Sequence, residues 1–208
     1  MNYQSNEYSP RTDFELFPPA VKHLLIINFV VYLASWTPGI GPLLQAYAPL
    51  FPIASSFFYP WQFVTYMFIH ADLSHIIFNL FALWMFGQAI ENYWGTKRFV
   101  IYYFLTGIGA GLLFILLNNN PVIGASGAVY GILLAFGMMF PDRPIMLIFL
   151  PIPIKAKYFV AFFGALEFIS GITRTDSNVA HFAHLGGMVI GFILIKIWGL
   201  KKEESSYS

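Results

Sequence analysis

The 208-residue chain is 58% hydrophobic and 19% aromatic with only 10% charged residues, too apolar for a water-soluble domain of this size. A net charge of +1 provides no basic face to neutralise phosphates, which argues against nucleic acid as a partner. The absence of cysteine excludes disulfides and thiolate metal sites.

Residues 1–20 carry Asn, Gln, Ser, Pro and three acids before any apolar run, which reads as a short polar amino terminus rather than a cleavable signal peptide. A helix needs about 20 mostly apolar residues to cross a bilayer, and runs of that kind lie near 21–37, 72–92, 98–117, 126–141, 154–173 and 179–199. The expected fold is all-α: a polytopic membrane domain over 21–199 with six transmembrane helices. The stretch Thr37 to Ile69, rich in Pro, Gly and aromatic residues, is too irregular to cross and is expected to rest at the interface as a large loop between the first two spans. Residues 200–208 form a short polar tail, and neither an internal repeat nor a second domain is visible.

Basic residues favour the cytoplasmic side of a membrane. An amino terminus inside puts Arg11, Lys22, Lys97, Arg98, Arg143, Lys155, Lys157, Lys196, Lys201 and Lys202 there, and leaves only Arg174 of the 11 basic residues outside. Both termini are then cytoplasmic, and a bacterial cytoplasmic (inner) membrane is the expected location.

In this orientation His75 and Asn79 lie in the first turns of the second span, Ser126 starts the fourth and His184 is near the top of the sixth. Three segments thus place costly polar groups in one outer layer of the membrane, which argues for function. Gly127 and Gly131 form a Gly-x-x-x-Gly pair on the fourth span, and Gly187 and Gly191 form another on the sixth. Registering the pairs leaves Ser126 and His184 at heights that differ by about 3 Å, within reach of a hydrogen bond if both face inward. Tyr130, four residues after Ser126, shares its face and can stack on the His184 imidazole.

The motifs His75-Ile76-Ile77-Phe78-Asn79, Gly124-Ala125-Ser126-Gly127 and Ala183-His184 followed by Gly187 and Gly191 occur in that order on spans two, four and six. In this the chain resembles the rhomboid intramembrane serine proteases over roughly 20–199. The resemblance implies a Ser126 nucleophile and a His184 general base, a dyad that needs no Asp or Glu. It also implies oxyanion stabilisation by His75, Asn79 and the Ser126 amide, Tyr130 packing on the histidine, and Gly124 and Gly127 keeping the serine turn tight. No cofactor and no metal follow from it, and the implied partners are transmembrane protein substrates cut near the outer face. Trp61-Gln62 departs from the family's common Trp-Arg, so loop stability or lipid contacts are expected to differ.

His70 and His181 read as structural or interfacial, Glu167, in the outer third of the fifth span, as an ionisable group facing the protein interior near the substrate gate, and Glu91 as part of a structural hydrogen bond. A metal transporter built on His70, His75, His181 and His184 is disfavoured for want of an intramembrane carboxylate at ligand spacing. No His-Glu-x-x-His of a zinc protease is present, and the two intramembrane acids are not an aspartyl dyad. The more serious rival is a catalytically inactive relative that binds or escorts membrane proteins.

Overall fold

The computed structural model describes residues 14–147, 150–173 and 181–199. Arg11, Arg174, Ala180, Lys201, Lys202, most of the polar amino terminus and the polar tail lie outside the described residues. The fold is mostly helical: α1 (Pro19–Ala34), α2 (Ile40–Tyr47), α3 (Gln62–Thr65), α4 (Leu73–Trp94), α5 (Thr96–Leu117), α6 (Ser126–Met139), α7 (Ala156–Thr173) and α8 (His181–Ile197). By length and composition α4, α5 and α7 can cross a membrane, whereas α1, α6 and α8 are shorter apolar helices.

Most of the expected spans therefore shorten, and the reasons are local. At the end of α1, Ser35 Oγ donates to the Val31 carbonyl and Thr37 Oγ1 to the Ala34 carbonyl, satisfying the last turn just before Pro38. α6 ends two residues before Pro141. The apolar run that follows is not helical throughout. It folds into an antiparallel hairpin of β1 (Pro144–Leu147) and β2 (Leu150–Lys155), pairing Pro144 with Lys155 and Ile145 with Ile154. Prolines are tolerated there because each strand of a two-stranded ribbon has an unpaired edge. The hairpin corrects the all-α expectation and delays the start of α7 to Ala156.

The helices share two distinct ends. Glu91, in the last turn of α4, accepts from the Ala20 and Val21 amides at 2.8 Å each, and from Thr96 Oγ1 at 2.7 Å. It therefore caps α1, whose own Pro18 offers no side-chain cap. Tyr93 stacks edge-on to Phe140 beyond α6, and Trp94 to Trp198 beyond α8, so the same end gathers Lys22, Lys97, Arg98, Arg143, Lys155, Lys157 and Lys196. The opposite end holds the starts of α4, α6 and α8, the end of α7 and the loop from 35 to 72.

That loop is built rather than slack. Leu50 and Val122 exchange two backbone hydrogen bonds at 3.0 Å, and the Gly124 amide donates to the Tyr66 carbonyl at 2.8 Å. Gln62 is fully buried; its Oε1 accepts from the Phe51 and Tyr59 amides, and its Nε2 donates to the Tyr47 and Phe57 carbonyls. The outer surface of the loop shows Trp36, Ile40, Leu43, Tyr47, Phe57 and Trp61 exposed, an apolar face that suits a lipid interface.

α6 is the enclosed helix, with ten of its residues buried on all sides of its axis and packed against α4, α5, α7 and α8. Its approach to α8 is backbone on backbone: a Cβ on Gly187 would overlap the Gly127 carbonyl, and one on Gly191 would meet the Tyr102 hydroxyl with Gly131 Cα close by. Of the three helices long enough to cross a membrane α7 is the least embedded, with Tyr158, Phe162, Leu166, Phe168, Ile169 and Ile172 exposed.

Candidate active site

Ser126 is the first residue of α6, so its backbone N–H and that of Gly127 lack partners within the helix and sit at its positive dipole end. The chain reaches it through Gly124, whose φ of 110° few other residues adopt. The glycine has a second reason: a Cβ there would lie 2.7 Å from His75 Nε2. His184, in the first turn of α8, is buried, and its Nε2 lies 2.8 Å from Ser126 Oγ. The Tyr130 ring stacks on the His184 imidazole, with centroids 4.4 Å apart and planes 7° from parallel, which fixes the ring plane.

On α4, Asp72 is the N-cap: its carboxylate accepts from the His75 amide at 2.8 Å and from Ser74 Oγ at 2.6 Å. The Ser74 bond first, then the His75 amide, holds the Asp72 carboxyl below its ordinary range. The Ala71 amide donates to His75 Nδ1 at 3.4 Å, which assigns the ring proton to Nε2, the nitrogen beside Gly124. Asn79, buried one turn on, gives one Nδ2 proton to the His75 carbonyl at 2.8 Å and retains a second. His70 sits edge-on to His75 with centroids 5.0 Å apart. Burial, then the neighbouring His75, lowers its pKa to about 4, so it remains neutral near pH 7.

Glu167 and His181 are brought into the same cluster, a placement the sequence reading misses. Glu167 is buried on α7; its Oε1 accepts from the Tyr130 hydroxyl at 2.5 Å, and its Oε2 lies 2.6 Å from His181 Nδ1 and 3.0 Å from His184 Nδ1. The His184 approach is in range but not aligned, and Nδ1 has no in-line hydrogen-bond partner. Catalytic hydrogen bonds commonly have such geometry before substrate binds. The signal available in the sequence is the cost of a carboxylate in an apolar helix at the depth of His184.

Glu167, His181 and His184 also form a group whose ligand atoms lie within 4.8 Å of one another, so a carboxylate does accompany the histidines, contrary to the sequence argument. Separations of 2.6 and 3.0 Å from one carboxylate oxygen are those of hydrogen bonds. Tetrahedral zinc, with bonds of about 2.0–2.1 Å, holds its ligands roughly 3.3 Å apart.

The sequence pattern of the Rhomboid domain matches residues 58–201. Among characterised proteins, the chain is 30% identical over 195 residues to rhomboid-like protein 11, chloroplastic, of Arabidopsis thaliana, covering 88% of this chain and 66% of the relative. It is 29% identical over 147 residues to rhomboid protease GluP of Bacillus subtilis, covering 68% of this chain and 27% of the relative. Against rhomboid protein 1, mitochondrial, of Saccharomyces cerevisiae it is 29% identical over 203 residues, covering 92% and 57%. The chain spans less than two thirds of the length of these relatives. With the domain pattern over most of its length and its set of apolar helices, the chain belongs to the rhomboid family of polytopic membrane proteins.

Proposed function

We propose that this protein is an intramembrane serine endopeptidase that cleaves transmembrane segments of other membrane proteins near the outer face of the bilayer. The observation that carries the reading is the 2.8 Å contact between Ser126 Oγ and His184 Nε2 at the start of two helices held together by glycine. Serine is a weak nucleophile until a neighbouring base takes its proton, and an imidazole nitrogen at this distance is positioned to do so. The developing oxyanion is stabilised by the Ser126 amide, His75 Nε2–H and the second proton of Asn79 Nδ2, with the α6 dipole adding to them where water is scarce. His184 then returns the proton to the leaving amine, and water entering from the outer face completes hydrolysis.

In this reading α1, α4, α5, α6, α7 and α8 are the six spans, with the short ones enclosed or flanked by the long ones. The end rich in Lys and Arg is cytoplasmic. The membrane in this reading is a bacterial inner membrane; one relative is from Bacillus subtilis, while others carry chloroplastic and mitochondrial names. Substrate segments with small residues and weak helix formers near the cut suit the site, because they unwind to an extended strand at little cost.

The test is intact mass after exposure to a serine-directed fluorophosphonate. Wild type gains one adduct, and Ser126→Ala and His184→Ala gain none. An unlabelled but folded wild type would favour a catalytically inactive binder or escort of membrane proteins.

A further inference from the structure

We infer that Glu167 is a positioning residue for His184 of the Ser126–His184 dyad; the inference rests on the proposed protease reading. An ionised carboxylate only accepts hydrogen bonds. Glu167 faces three groups: Tyr130 on α6 and His181 on α8 hydrogen-bond to it, and His184 Nδ1, 3.0 Å away though not in line, avoids lone-pair repulsion with the carboxylate only as an N–H. For His184 this places the proton on Nδ1 and leaves Nε2 bare, and Nε2 is the atom 2.8 Å from Ser126 Oγ. The carboxylate therefore selects the tautomer in which His184 can accept the serine proton.

Two further features assist it. The Tyr130 hydroxyl fixes Oε1 at 2.5 Å while the Tyr130 ring stacks on His184, so one residue fixes both partners. His181 Nδ1, 2.6 Å from Oε2, holds the carboxylate from the preceding turn of α8. When His184 becomes an imidazolium in the reaction, its positive charge develops beside a buried negative one, as in soluble triads.

The chain has five histidines, few enough for nitrogen-15 spectra of histidine-labelled full-length protein in detergent micelles, with His184 assigned by its loss in His184→Ala. Wild type is expected to show His184 protonated on Nδ1 at neutral pH. Glu167→Gln offers an amide that can donate to Nδ1, and is expected to populate the Nε2-protonated form. The maximal rate of fluorophosphonate labelling should fall on the order of 10³–10⁴-fold, with the inhibitor concentration at half-maximal rate unchanged, and Glu167→Asp should recover part of the rate. Labelling of folded Glu167→Gln at the wild-type rate overturns the inference. If that variant does not fold, wild type alone decides: a His184 protonated on Nε2 overturns it. Absence of Ser126 labelling in wild type refutes the protease reading, while the tautomer still reports on the Glu167 contact.

Discussion

Asn79 shows how a single side chain divides its work. One Nδ2 proton is committed to the His75 carbonyl at 2.8 Å, which fixes the amide along α4 and, in the proposed mechanism, leaves the other for an oxyanion. Asn79→Ala should lower kcat by about 10²-fold with KM nearly unchanged, measured by steady-state cleavage of a transmembrane peptide. An equal loss in KM would assign Asn79 to substrate binding instead. The meeting of Ser126 with His184 is legible from sequence because glycine pairs at the same spacing set the register of α6 against α8. The neighbours of Glu167 are not legible in this way. Apolar patterning along α7 reveals depth, but its rotation against α8 is decided by tertiary packing rather than by period.

Among the elements, the loop between α1 and α4 depends on Gln62. Its four hydrogen bonds tie three stretches of backbone together without a charge. Truncation removes the partner of two amides and two carbonyls in half-buried surroundings, each bond contributing about 0.5–1.5 kcal/mol. Gln62→Ala should therefore destabilise the fold by about 3 kcal/mol, visible as a lower thermal midpoint in detergent. Gln62→Glu, which replaces both donors with an acceptor, should be no better. The hairpin at 144–155 is illegible for a different reason: its residues are as apolar as a span, and its pairing is non-local to any helical period.

At the scale of the whole molecule, the two ends differ in character: one gathers seven described basic residues, the other the serine, four of the five histidines and the apolar loop. With no native cysteine, single cysteines can report sidedness without background. Ser56→Cys, in the loop, should react with an impermeant maleimide on intact cells, and Asp142→Cys, between α6 and β1, only after permeabilisation. The reverse pattern would invert the proposed orientation.

Enclosure of α6 has a consequence for the depth at which Ser126 sits. A helix that touches lipid must match the thickness of the membrane, but one wrapped by its neighbours is released from that requirement. The 14 residues of α6 amount to about 21 Å, less than the roughly 30 Å of hydrocarbon. Its length is therefore free to set the depth of Ser126, at about 1.5 Å of helix axis per residue, with whole turns keeping Ser126 on the face that meets His184.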